Sequence, residues 1–205
     1  MSAHGRLVRM SRALACACIV VTWAGSPTAF AHTSPGSFAE QLDVLTRDGY
    51  EHPEASLAAL AELERSPAHA SVEQRRQLLQ AIGTVEAAAG MTTRVQTSAE
   101  RLRQLSADDS SGRTQASLDL VQARAAEAAG QSDVASSLAQ HALDAMQPAC
   151  RDASQQTGIA ADCDYRAVWM LLGLLERRAS AQGVPATANR HAHAAWRLAE
   201  AAGDA

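Results

Sequence analysis

Residues 130–148 read GQSDVASSLAQHALDAMQP. Counted from Gly130, alanine falls five residues on at Ala135 and seven further at Ala142, and Pro148 follows. Glycine suits the left-handed turn that joins two helices. Small side chains spaced this way let two helix axes approach closely, and a proline is expected to end the second helix. The stretch therefore predicts the second half of a tight antiparallel helical hairpin. A chain assembled from such hairpins stacks them and exposes a long surface, which favours binding over bond-making.

The hairpin signal recurs. EAAAG ends at Gly90, EAAG at Gly130, SAQG at Gly183 and EAAG at Gly203. Gly90 and Gly130 lie 40 residues apart, and Gly130 and Gly183 lie 53 apart. From Gly183, alanines again stand five and twelve residues on, at Ala188 and Ala195. From Gly90 the same places hold Val95 and Leu102, so that copy is degenerate, and from Gly49 the match is poorer.

Apolar residues recur at three- and four-residue spacing, and no sustained alternation of the β type occurs. Ser37 with Glu40, and Ser71 with Gln74, form capping boxes that open two helices. Phe38, Leu42 and Leu45 line the first, which stops at Asp48 and Gly49. Pro53 opens a helix lined by Leu57, Leu60 and Leu63. Leu78, Ile82 and Val85 line the next, to Gly90, and Val95, Ala99 and Leu102 the one over 92–105. Residues 106–113 (SADDSSGR) form a polar loop in which nothing shifts the proton affinity of Asp108 or Asp109. Then come a helix with Leu118, Val121 and Ala125, and one capped by Ser132 with Val134, Leu138, Ala142 and Met146 inward. The last pair spans 164–181 and 185–202. The expectation is an all-α, right-handed solenoid of about four antiparallel hairpins, the tetratricopeptide-like pattern.

Residues 1–31 fall outside this pattern. Arg6, Arg9 and Arg12 precede an apolar run over 13–24, and Ala29 and Ala31 flank a small-x-small cleavage site. That is the layout of an export signal cleaved after Ala31. The apolar run is shorter than the roughly 20 residues a spanning helix needs. An uncleaved anchor is the rival reading, whereas too little apolar sequence precedes Cys16 or Cys18 for a lipoprotein. The domain is then 32–205, exported to the periplasm. It keeps fifteen of the 18 arginines against 22 acidic residues, a charge of −7. That balance argues against nucleic acid and anionic membranes as partners.

Only Cys150 and Cys163 remain in the mature chain. In an exported protein an even pair reads as a disulfide, with free thiols or a two-cysteine metal site as the alternatives. Such a bridge closes a loop of about 14 residues and stabilises by roughly 3 kcal/mol.

Trp169 and Trp196 fall in the last hairpin. The simplest reading packs them together in the core; the sharper one turns one of them into the groove as a ligand platform. Arg151, beside Cys150, is a candidate for an anionic ligand. Arg101, Arg103, Arg177 and Arg178 read as solvated faces. Over 165–175, Tyr165, Val168, Trp169, Leu172 and Leu175 make one stripe, and Met170, Leu171 and Leu174 lie opposite. A helix apolar nearly all round is buried on both faces, which calls for a further hairpin or a partner beyond Ala205.

His191 and His193 diverge by about 200° on a helix and cannot share a metal. His32, as a new N-terminus, offers an amine and an imidazole to Cu(II), with His52 or His69 as the second ligand. No Gly-x-Ser-x-Gly, Ser-x-x-Lys or His-Glu-x-x-His motif occurs. A non-catalytic module without a cofactor is expected, with a small helical enzyme or copper carrier as the contrasting class.

The export signal, the 130–148 hairpin, CDYRAVW at 163–169 and the AWRLAEAAGDA ending together resemble the exported, tetratricopeptide-like sensor regions that precede the catalytic domain of some bacterial diguanylate cyclases. The resemblance covers most of 32–205 and implies recognition of a protein, a peptide or a small molecule, with the bound state passed to an attached domain. No GGDEF loop occurs, so no catalytic residue is carried over. Membrane contact would then come only through an uncleaved signal or a segment beyond Ala205. A free-standing periplasmic adaptor or assembly factor is the alternative.

Overall fold

The computed structural model describes residues 37–66, 71–107, 109, 111–151 and 163–203. The expected export signal, its cleavage at Ala31, and His32, His69 and Asp108 lie outside them, as does the side chain of Arg151. The described residues form eight helices and no strand. These are α1 (Phe38–Asp48), α2 (Pro53–Arg65), α3 (Val72–Ala88), α4 (Thr92–Ser106), α5 (Arg113–Ala128), α6 (Ser132–Arg151), α7 (Tyr165–Ala181) and α8 (Pro185–Ala202).

Both capping boxes form. Ser37 Oγ accepts from the Glu40 amide while Glu40 accepts from the Ser37 amide, and Ser71 and Gln74 do the same for α3. Gly90, Gly130 and Gly183 follow α3, α5 and α7 at φ +69°, +73° and +69°. At each, the next residue's amide bonds back to the helix: Met91 to Glu86, Gln131 to Ala126 and Val184 to Ala179. This paired C-terminal closure turns the chain into α4, α6 and α8. Gly49 differs, with φ −62°, so the first hairpin turns another way.

The odd helices pack in a row, α1 on α3, α3 on α5 and α5 on α7, while each even helix packs on the odd helices either side of it. α8, last in order, packs on α7. Burial follows this arrangement. α3 is buried at every position from Leu78 to Ala87. Gly83 sits where a Cβ would lie 2.7 Å from Val121 Cγ1, so its missing side chain lets α3 and α5 touch. On α6, Ala135, Ala139, Ala142, Leu143 and Met146 are buried.

Three local expectations need correction. Val134 is half-exposed, because α6 is turned so that the smaller Ala135 faces inward and Val134 stays in solvent. Ser132 is the first helical residue and not the cap. α6 continues through Pro148 to Arg151; Pro148 is exposed, while Cys150 is buried in the core and bonded to Cys163, Sγ to Sγ 2.06 Å.

Among the described residues the most deeply buried charged side chain is Arg76 on α3, 2% exposed. Its Nε and Nη2 donate to the Glu73 carboxylate at 2.9 and 2.6 Å. Nη1 donates to Gln80 Oε1 at 3.1 Å and to Ser117 Oγ of α5 at 2.5 Å. Nη1 and Nη2 both lie 3.3 Å from Asp164 Oδ2. Asp164 Oδ1 in turn accepts from the Ala167 amide and caps α7. One guanidinium thus joins α3, α5 and the start of α7. Burial alone would lower the Arg76 pKa, but the Glu73 and Asp164 carboxylates more than offset it and raise it. The hydrogen bond from Arg76 holds the Glu73 carboxyl below its usual range.

Replacing Arg76 by alanine leaves two carboxylates facing a buried hole. Arg76→Ala is expected to cost about 3 kcal/mol in urea unfolding, and Glu73→Gln, on the exposed side of the cluster, about 1 kcal/mol. Equal losses would show that the buried guanidinium is not the anchor. Gly83→Ala should destabilise the native chain through overpacking against Val121. In a Val121→Ala background the same change should stabilise by up to about 1 kcal/mol, the ordinary gain of alanine over glycine in a helix.

Candidate functional site: an aromatic-walled depression on α7 and α8

α7 is an interior helix over most of its surface. Ala167, Val168, Leu171, Leu172, Leu174, Leu175 and Ala179 are buried. That is the two-sided burial expected from its sequence, with one departure. Trp169 is 47% exposed, and Trp196 on α8 is 52% exposed. The two indoles do not form a closed core. They wall one open depression of about 500 Å³.

Its lining comes from two stripes. Tyr165, Arg166 and Trp169 occupy adjacent turns at the start of α7. Ala192, Ala195, Trp196 and Ala199 of α8 supply the rest. The α8 spacing of three, four and seven is one face of a helix. Three of those four residues are alanine, so the floor is low and another backbone can come close.

The α7 edge is fixed from below. Asp164, one residue before α7, is held by Arg76 and caps the helix. Arg166 Nη2 makes an ion pair with Asp43 of α1 at 2.8 Å, and its guanidinium lies 4.9 Å from the Tyr165 ring centroid. On the α8 side, His193 meets Trp196 edge-on, with centroids 6.0 Å apart and planes at 83°. His191 is half-buried; burial, with Arg190 nearby, lowers its pKa. The arrangement offers apolar area from two indoles and three alanines, beside the Arg166 guanidinium that Asp43 already pairs. It places no nucleophile beside a base.

The other candidates lie elsewhere. Among the described residues, no group of three His, Cys, Asp or Glu could hold a metal. Asp109 departs from the expectation of an unperturbed loop carboxylate. Burial would raise its pKa, but Ser111 and the Thr114 amide donate to it and push it well below the usual range. It thereby acts as the cap of α5, whose preceding residue, Gly112, has no side chain for the task. Glu86 moves the other way: burial raises its pKa despite a hydrogen bond from Ser98 and the nearby Arg94. Both are structural. Among the described residues, no helix is long and apolar enough to cross a membrane.

The sequence singled out the two tryptophans as ligand candidates, whereas Tyr165 figured only in the apolar stripe of α7 and Ala195 only as a repeat position, and Arg166, Ala192 and Ala199 were not singled out. The signal was present in the spacing 165/169 and 192/195/196/199, and it was hidden by alanine's abundance throughout the chain.

A buried core tryptophan costs about 3–5 kcal/mol when cut to alanine. Trp169→Ala and Trp196→Ala should each cost less than about 1.5 kcal/mol by thermal or urea unfolding, since half of each ring already faces water. A core-sized loss at both positions would remove the depression as a free surface. No protein-family model, curated protein or solved structure matches the chain.

Proposed function

We propose that this chain is a recognition module: an exported, tetratricopeptide-like helical stack that binds another protein or peptide at its last hairpin. The observation that carries the reading is the pair of half-exposed tryptophans on one face. A soluble helical domain ordinarily buries such side chains, and aromatic residues left at a concave, alanine-floored surface are the common anchors of interfaces. The repeated glycine closures after α3, α5 and α7 support the repeat reading. The more specific form is the input region of a membrane signalling protein of the diguanylate cyclase type. It rests on the sequence resemblance. In that form the ligand state passes along the hairpin row, and the chain itself carries no catalytic group.

The test is position-specific photo-cross-linking in the cells that make the protein. A benzophenone side chain is placed at 169 or 196, and as controls at Val72 or Val134, which are equally exposed on α3 and α6. Discrete adducts recovered from the periplasmic fraction at 169 and 196, and not at 72 or 134, are expected. Adducts of equal yield at all four positions, or none at 169 and 196, would remove the binding reading.

A further inference from the structure

Two separate cores meet at the start of α7. The buried apolar cluster around α7 draws on α5, α6, α7 and α8, and the one around α1 draws on α1, α2 and α3. Charged side chains cross from one to the other. Asp164 Oδ2 lies 3.3 Å from Nη1 and Nη2 of Arg76 and accepts from Gln80 on α3 at 3.3 Å. Arg166 pairs with Asp43 on α1 at 2.8 Å. In the row of odd helices α3 stands two places from α7 and α1 three. These pairs therefore close the row on itself.

Opening that closure strands no charge. When Asp164 leaves, Arg76 keeps Glu73, Gln80 and Ser117 as acceptors. Asp164, Asp43 and Arg166 already touch water, with side chains 21%, 24% and 34% exposed, so each hydrates readily once apart. α7 itself stays seated, because Ala167, Val168, Leu171 and Leu172 are buried in the α5–α8 core.

The residue before Asp164 is Cys163, bonded to Cys150 near the end of α6. The α6 turn that carries Cys150 is weak on its own. Pro148 has no amide to donate to the Asp144 carbonyl, so the helix lacks a hydrogen bond there.

We infer that the Cys150–Cys163 bridge is the control point of a redox-sensitive clasp: oxidised, it sets Asp164 on Arg76 and Arg166 on Asp43; reduced by a dithiol, it releases both pairs. The inference stands apart from what the depression binds. Its effect reaches that surface all the same, since Tyr165, Arg166 and Trp169 form the α7 edge of the depression.

The step is thiol–disulfide exchange. A thiolate of the dithiol attacks Cys163 Sγ, because Cys163 is half-buried and Cys150 only 6% exposed. The Sγ–Sγ bond breaks, and Cys150 leaves as a thiolate and takes up a proton. The second thiol of the reductant then attacks the mixed disulfide, closes the reductant's own disulfide and frees Cys163 as a thiol. Two electrons and two protons pass from the reductant to the cysteine pair.

Energy transfer across the clasp tests this. The full chain with Cys16→Ser, Cys18→Ser, Trp23→Phe and Trp196→Phe keeps the one bridge and emits from Trp169 alone. A dansyl acceptor is attached at Val44→Cys, exposed on α1 beside Asp43, or at Asn189→Cys, exposed on α8. With excess dithiothreitol under native conditions, transfer to position 44 is expected to fall by at least about a third, while transfer to 189 stays within about a tenth. Asp43→Asn, which removes one pair beforehand, should shrink the fall at 44 to less than about half. Cys150→Ser with Cys163→Ser should give the low transfer at 44 without reductant. A bridge that resists dithiothreitol by thiol count, transfer to 44 that does not change, equal falls at 44 and 189, or a fall undiminished by Asp43→Asn each overturns the clasp.

Discussion

A single buried cation organises this fold. Taking a guanidinium out of water costs several kcal/mol, and the cost is met only when its donors are satisfied by well-placed acceptors. At Arg76 they are, by acceptors far apart in sequence: Glu73 and Gln80 on α3, Ser117 on α5 and Asp164 before α7. Ser117 also donates to Gln80, and Gln80 to Asp164, so the cluster closes on itself. Apolar packing between alanine-rich helices is forgiving of small slides. A hydrogen-bonded charge is not, so the cluster fixes how α3, α5 and α7 are set against one another.

The covalent bridge and the ionic one meet at adjacent residues. Cys163 ties the start of α7 to the end of α6, and Asp164, next in sequence, ties it to α3. Arg166 then reaches Asp43 on α1. Four consecutive residues thus carry a disulfide, a helix cap with an ion pair, a lining aromatic and a second ion pair. Trp169 follows one turn later. The α7 edge of the aromatic depression is held by these bonds.

Much of this was legible from short-range chemistry. Ser37 with Glu40 and Ser71 with Gln74 announce helix starts because a cap needs only residues three apart. Gly90, Gly130 and Gly183 announce helix ends because few other residues accept positive φ. Most of what failed was set by tertiary contacts, and one failure was a local cap. Pro148 reads as a stop, yet α6 runs on because Cys150 is buried and bonded. Val134 reads as inward, yet the smaller Ala135 takes the crowded side of α6. Asp109 reads as an idle loop acid, yet Gly112 leaves the α5 amides without a cap and Asp109 supplies it. The Arg76–Asp164 pair spans 88 residues, and no local pattern could have disclosed it.

The repeat register shows why α3, α5 and α7 differ where they should be alike. The same place holds Arg76 on α3, Ala116 on α5 and Trp169 on α7. On α3 it faces a hydroxyl and a carboxylate, and the side chain is charged. On α5 it lies in the apolar core shared with α7, and the side chain is small. On α7 it is half in water, and the side chain is a large amphipathic ring. Arginine and alanine are explained by the neighbours already present. Tryptophan is not, because its apolar area is only half used by α8. The residue type at 169 is therefore the one that the proposed binding surface would account for, as the surfaces that cover them account for the two earlier positions.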